Sequence, residues 1–208
     1  MSQDRPDLSV ASRLLSQHMA RPNEGVVPAI KRVIRYLRGQ PCCKLVIPVG
    51  DGVDKICIWS DSDWAGDVLS RKSTSGGVIK IGGTTVAHWS KLQSNVALSS
   101  GEAELNASVK ALSEGIGFIH LYEEIFSRRP EVVLHVDASA CKGMLLRHGV
   151  GKLKHLSTKQ LWVQGAIGAY SIRVVRIPRA HNVADALTHS ISGQELAAQL
   201  ARANYYRS

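Results

Sequence analysis

Cysteine is scarce: the 208 residues hold four, two of them adjacent, with no CxxC pair and no zinc-ligand spacing. Cys42, Cys43, Cys57 and Cys141 therefore do not read as a disulfide framework, and they point to a reducing compartment. Long apolar runs are missing. None approaches the ~20 residues that would span a bilayer. The opening MSQDRPDLSV lacks the basic-then-apolar layout of a secretory signal. Aromatics are 5% of the chain, which argues against a surface that works mainly by stacking single-stranded bases. Acids are also few. Asp and Glu number 17 against 26 Lys and Arg, a formal net charge of +9. Such a balance leans toward a polyanionic partner without identifying one.

What is present is ordinary globular material, 44% hydrophobic, enough for one or two domains with a real core. Residues 6 to 40 have helical spacing. Leu8, Ala11, Leu14 and Leu15 form one stripe, and Val27, Ile30, Val33, Ile34 and Leu37 form a second after the break at Pro22-Asn23-Glu24-Gly25. This pair lacks enough core to stand alone. It reads as an extension packed against the rest of the chain or against a missing domain. From Cys43 the period shortens. Lys44–Pro48 and Lys55–Ser60 read as strands joined by a turn at Gly50-Asp51-Gly52. Residues 76–81 and 84–89 read as a hairpin about Gly82-Gly83. Ser99-Ser100-Gly101-Glu102 caps a long helix to about Ile125, with a break expected near Gly115 or Gly117. Glu131–Val136 is a strand, and Asp137-Ala138-Ser139 caps a helix through Leu146. Helix 154–168, strand 171–177 and helix 183–190 follow, then a further helix ending in a frayed tail. The expected fold is α/β, one mixed five-stranded sheet flanked by helices, with an N-terminal helical extension.

The acids that do occur fall at element boundaries. Asp61 ends a strand in SDSDWAGD, Glu104 is in the first turn of the long helix, Asp137 ends VVLHV, and Asp185 opens the last helix. Alone, each also fits a turn or a cap. Together, carboxylates gathered at one rim of a sheet repel unless a cation lies between them. Hard oxygen ligands suit Mg²⁺, and two such ions can hold the attacking water and leaving oxygen of a phosphodiester in line. Asp63 and Asp67 read as solvated turn residues. Glu102 lies about 200° from Glu104 around a helix, so the two cannot face one site. Glu104 is preferred because Ala107, Ser108 and Ala111 share its face.

Six strings then occur in order: SDSDWAGD, RKSTSGGVIKIGG, HWSKLQSNVALSSGEAEL, LHVDASA, KHLSTKQLWVQ and HNVADALTH. With them the chain resembles the RNase H domain of Ty1/copia-type retrotransposon Pol polyproteins, over roughly residues 5 to 192. The stretch RPDLSVASRLLSQHMARPNEGVVPAIKRVIRYLRG looks like the segment joining the reverse transcriptase to that domain. The resemblance implies three parts: 1–42 as this connection, 43–192 as an RNase H-like domain, and 193–208 as a C-terminal helix and tail. It implies an endonuclease that cuts the RNA strand of RNA–DNA hybrids during reverse transcription, in a cytoplasmic particle or the nucleus. It implies a D-E-D-D site of Asp61, Glu104, Asp137 and Asp185 holding two Mg²⁺ ions, with Mn²⁺ as substitute. In that scheme Asp61 bridges both ions, Glu104 and Asp137 hold the one nearer the leaving group, and Asp185 the one that activates water. The implied partners are the hybrid and the reverse-transcriptase part of the same polyprotein, with no membrane.

Departures from the family pattern at Gly101, Ala138, 154–159 and Thr188-His189-Ser190 keep an alternative open. It is a catalytically inactive hybrid-binding or structural module. For the substrate, Arg71, Lys72, Ser73 and Thr74 sit together past the acidic string. Lys91 and Gln93 precede the helix, and Lys152, Lys154, His155 and Lys159 form a second basic set. A hybrid would be held through phosphates and 2′-hydroxyls. His181 is the nearest candidate for a histidine that aids product release, though a surface role fits it equally. Trp59, Trp64, Trp89 and Trp162 read as packing residues.

Overall fold

The switch from helical to alternating periodicity near Cys43 is reproduced in a computed structural model, which describes residues 4–48, 53–147, 149 and 157–207. The helices are α1 (Ser9–Ser16), α2 (Val26–Gly39), α3 (Ser100–Phe126), α4 (Ser139–Leu146), α5 (Ser157–Ala169) and α6 (Gly193–Arg202). The strands are β1 (Cys43–Leu45), β2 (Lys55–Asp63), β3 (Thr74–Ile81), β4 (Thr84–Leu92), β5 (Glu131–Val136), β6 (Arg173–Arg176) and β7 (Tyr205–Arg207). Five of the strands form one sheet in the order β4-β3-β2-β5-β6. The β2–β3 and β3–β4 pairs are antiparallel; β2–β5 and β5–β6 are parallel. Gly82 and Gly83 both have positive φ, the backbone that a two-residue hairpin turn between β3 and β4 requires.

Alternation along β2 sends Ile56 and Ile58 to one face, where they meet Leu105, Leu112 and Ile119 of α3 and Leu134 and Val136 of β5. These apolar side chains, each nearly or fully removed from water, are the main core. The expected break in α3 is absent. The helix runs through Gly115 and Gly117, and Gly115 is where it lies closest to the sheet, since a Cβ there would run into Ile58. At the start of α3, Gly101 leaves room for Met144 of α4.

The structure corrects the expected elements at four places. The strand Lys44–Pro48 shrinks to β1, and it pairs outside the main sheet with β7. The C-terminal tail is therefore folded back and not frayed. Lys80 donates to Arg202 O at 2.5 Å and Asn204 Oδ1 at 2.6 Å, and Thr85 donates to Ala203 O at 2.7 Å. Residues 183–190 form no α-helix. They make a 3₁₀ turn, Asp185–Leu187, after another at Arg179–His181. The Asn182 side chain takes the Ala184 N–H and donates to Ser60 O, and such local bonds compete with helix formation. Asp137 caps nothing: the N-cap of α4 is Ala138, with no side-chain bond. The turn expected at Gly50-Asp51-Gly52 and the start of the helix expected from residue 154 lie outside the described residues.

α1 packs against β4 and the Asp185–Leu187 turn, and Ser9 Oγ lies 3.4 Å from His88 Nδ1. α2 is tied on through Tyr36, whose hydroxyl donates to Asp7 at 2.6 Å. It buries no residue of its own. Val27 and Ile34 each keep 51% of their surface, so its apolar stripe is largely open. Among the described residues no helix is long and apolar enough to cross a membrane.

Candidate active site

β2 does not stop at the acidic string, as the sequence suggested, but runs through it. Its parallel pairing with β5 ends at Trp59↔His135, while its antiparallel pairing with β3 continues from Ser60↔Gly77 to Asp63↔Thr74. Asp61 and Asp137 each lie two residues beyond that last parallel pair. They stand side by side at the carboxyl ends of adjacent parallel strands, where open α/β sheets form their crevices. Glu104 reaches the same point from the first turns of α3. One carboxylate oxygen from each of Asp61, Glu104 and Asp137 lies within 4.8 Å of the others. Asp61 and Glu104 are buried and Asp137 is half-buried.

Each acid is held by named partners. Asp61 Oδ2 lies 3.1 Å from Thr188 Oγ1, and Asn182 Nδ2 donates to Asp61 Oδ1 at 3.4 Å. Glu104 Oε1 accepts from the Ser62 backbone N–H at 3.2 Å and the Ser62 hydroxyl at 2.8 Å. Its Oε2 is buried with no hydrogen-bond partner among the described residues. Ser108, one turn along α3, meets Ser60 at 3.0 Å, which fixes the helix against the strand. Burial, reinforced by the charges of Glu104, Asp137 and Asp185, pushes the Asp61 carboxyl well above the usual range. Burial likewise pushes Glu104 up to about 7, against the pull of its Ser62 bonds. A buried carboxylate with one unpartnered oxygen, in a group with two further acids, is a site short of positive charge. Its all-oxygen donor set fits a hard divalent cation.

Asp185 is buried nearby but stands outside the group of three. Arg179 Nε donates to its Oδ1 at 2.8 Å. The cleft over the acids, about 350 Å³, is lined by Asp61, Ser62, Asp63, Trp64, Glu104, Asp137, Arg179 and His189. Arg179, Trp64 and His189 escaped the sequence reading as site residues. Their one signal was position, Arg179 six residues before Asp185 and His189 four after it. His181 is exposed and does not line the cleft. A larger apolar cavity, about 500 Å³ between α1, α2 and the segment after Asp185, is lined by none of these acids, and it shares His189 with the acidic cleft.

The other acids serve the loops. Asp63 accepts the Thr74 N–H, Asp67 accepts from Ser70, and Glu102 accepts the Leu98 N–H at 2.8 Å. Of the expected nucleic-acid contacts, Arg71 and Lys91 are exposed and Lys72 is half-exposed. Ser73, Thr74 and Gln93 are buried, which removes them as surface contacts. The Ser73 hydroxyl takes the Ala65 N–H at 3.0 Å. Gln93 donates to Ser75 and Ala103 O and accepts from Asn106. Ser73 and Gln93 are held inside by these partners, whereas the buried Thr74 hydroxyl has none among the described residues. Lys152, Lys154 and His155 lie outside the described residues. Lys159 is described, and its ammonium donates to Asn106 at 2.8 Å. With Lys91, Asn95 and Lys110 these two line a second groove of about 260 Å³.

No family model matches the chain. It is 32% identical over 192 residues to the Retrovirus-related Pol polyprotein from transposon RE1 of Arabidopsis thaliana, covering 90% of this chain and 13% of that protein. It is 30% identical over 187 residues to the corresponding polyprotein from transposon TNT 1-94 of Nicotiana tabacum, covering 88% and 14%. A Secreted RxLR effector protein 161 of Plasmopara viticola is 44% identical over 112 residues, 54% of this chain and 78% of that protein. Among solved structures, LC11-RNase H1, isolated from compost by a metagenomic approach, superposes with a TM-score of 0.52 at 23% identity, covering 65% of this chain and 93% of that one. The same protein in complex with an RNA/DNA hybrid gives 0.50 at 22%, covering 64% and 93%. These structures share the fold.

Proposed function

Because the chain belongs to the RNase H region of copia-type retrotransposon Pol polyproteins, we propose that it hydrolyses the RNA strand of RNA–DNA hybrids. One observation carries the reading. Asp61, Glu104 and Asp137 converge at the carboxyl ends of β2 and β5, with Glu104 Oε2 buried and unpartnered. The chain spans about one-seventh of the length of the polyproteins it matches, so the activity is proposed for this region by itself. LC11-RNase H1, of the same fold, has been seen with an RNA/DNA hybrid.

Asp61, Glu104 and Asp137 would hold one Mg²⁺, and Asp185, with Asp61 shared, a second. Bound there, the ions would neutralise the phosphodiester and hold the attacking water and the leaving oxygen in line. The protein does the rest by placement. Ser62 and Thr188 orient the Glu104 and Asp61 carboxylates. Arg179 and His189 put positive or hydrogen-bonding groups at the mouth of an acidic cleft that a polyanion must enter. Arg71, Lys72 and Lys91 at the rim, and Lys159 and Asn106 in the second groove, would take phosphates and 2′-hydroxyls, since a hybrid is recognised by shape. The open stripe of α2 is the proposed seat of the polymerase part of the same polyprotein.

The test is cleavage of a hybrid labelled on one strand at a time, with Mg²⁺, by wild-type protein and Asp137→Asn. The reading expects cuts in the RNA strand alone and none by the variant. Folded wild-type protein that binds the hybrid and cuts neither strand in Mg²⁺ or Mn²⁺ would leave only the inactive module.

A further inference from the structure

Trp64 stands at the rim of the acidic cleft in a turn built to hold it there. Directly after β2 the chain reverses through Ala65, whose φ of 55° is left-handed. That conformation is unfavourable for an L-residue, whose Cβ crowds the following carbonyl oxygen. Three contacts enforce it. The Ala65 N–H is fixed at 3.0 Å on the Ser73 hydroxyl, which is fully buried. Asp63 accepts the Thr74 N–H across the base of the turn. Gly66 lies where any side chain would run into the Asp63 carboxylate. The indole is locked in its turn, its Nε1–H donating to Ala97 O at 3.0 Å in the loop before α3. With its one polar atom satisfied, the ring still leaves 54% of the residue's surface in water, in the same cleft as Asp61, Glu104 and Asp137.

A constrained turn that holds a large apolar ring in water gives folding little return. It does give a preformed binding face, because an indole fixed in advance loses little entropy when something covers it. What covers it follows from its neighbours, and rests on the reading that the carboxylates, through their cations, receive a phosphodiester. Along a nucleic-acid strand the group beside a phosphate is a sugar. In a paired duplex the bases are stacked inside, so the sugar is the face a rim residue can reach. We infer that Trp64 packs on the sugar of the nucleotide next to the phosphate held at the carboxylates, and so sets substrate affinity and strand position. Trp64 is then a substrate-binding residue, where the sequence had suggested packing.

The experiment measures binding of a fluorescein-labelled RNA–DNA hybrid in the Asp137→Asn background, so that cleavage does not consume the probe. Trp64→Leu and Trp64→Phe are compared with that parent. Trp64→Leu, which shrinks the apolar face that the sugar would cover, should weaken binding about tenfold. Trp64→Phe should stay within about threefold. Hybrid added to the parent should quench indole emission, and that quench should be missing in Trp64→Phe, a readout that does not depend on any variant's stability. Trp64→Leu binding within twofold of the parent, or an unchanged quench in Trp64→Phe, overturns the inference while wild-type cleavage leaves the ribonuclease reading intact. A parent that binds no hybrid, with a wild type that cuts none, overturns both.

Discussion

Arg179 and Asp185 hold each other at the edge of the acidic cleft, Nε to Oδ1 at 2.8 Å. The pair explains why Asp185 lies beside the other three acids without joining them. It also sets a guanidinium against the one acid that the proposed second cation would need. Replacing Arg179 by Ala should free Asp185 and lower the Mg²⁺ concentration for half-maximal cleavage roughly three- to tenfold at saturating hybrid. The Arg179 side chain is mostly exposed but its partner Asp185 is buried, so the variant leaves that carboxylate without its cation and the melting temperature should fall in EDTA and recover with Mg²⁺. A Mg²⁺ titration of cleavage checks this, and an unchanged or higher midpoint counts against it.

Burial raises the Glu104 carboxyl to about 7. Between its ordinary value of 4.5 and about 7 the folded state keeps a proton that the unfolded state has lost. Stability of the metal-free protein must then fall as pH climbs through that window, by roughly 2–3 kcal/mol from this group. Asp61, raised by burial and by its acidic neighbours, adds to the slope. Urea unfolding in EDTA from pH 4.5 to 8 should show the decline, and Mg²⁺ should reverse it. Glu104→Gln should flatten the curve, raise metal-free stability at pH 8 and abolish cleavage. A wild-type curve that rises over this range would contradict the assignment.

Gly76 couples the sheet to the site. A Cβ there would lie 2.5 Å from Ala184 O and 2.8 Å from Thr188 Cγ2, in the turn that carries Asp185. Gly76→Ala should push that turn away from Asp61. Overpacking of this kind costs ~1–3 kcal/mol, and cleavage should fall more than tenfold through misplaced Thr188 and Asp185. Unfolding and activity both equal to wild type would show that the turn yields freely.

Much of this architecture was legible because it is written in local periodicity. The Gly82-Gly83 turn announced the hairpin, and helical phase alone separated Glu104, which meets Asp61 and Asp137, from Glu102, which binds Leu98. What stayed hidden depends on partners far along the chain. Ser73 and Gln93 look like surface polar residues until Ala65, Ser75, Ala103 and Asn106 are folded against them. The 183–190 stretch has helical spacing, yet Asn182 spends its amide on Ser60 and Ala184 and turns the chain early. No local pattern shows that Tyr205–Arg207 returns to pair with Cys43–Leu45.

That return gives a prediction of stability. Lys80 is buried, and its ammonium is satisfied by Arg202 O and Asn204 Oδ1. Deleting residues 203–208 removes the Asn204 acceptor, the Thr85 partner and the β1–β7 pair. The loss should be roughly 2–4 kcal/mol. Urea unfolding checks it, and equal midpoints for the truncated and full chains would show the tail to be an ornament.

The most direct test of the central claim is the chemistry of the cut ends. If the carboxylates hold cations that present water to the phosphodiester, the water oxygen bonds to phosphorus, the P–O3′ bond breaks, and the 3′-oxygen takes up a proton. The RNA pieces should then carry 5′-phosphates and 3′-hydroxyls, form only with a divalent cation, and vanish with Asp61→Asn. Pieces ending in 2′,3′-cyclic phosphates, or cleavage that persists in EDTA or in Asp61→Asn, would contradict the account.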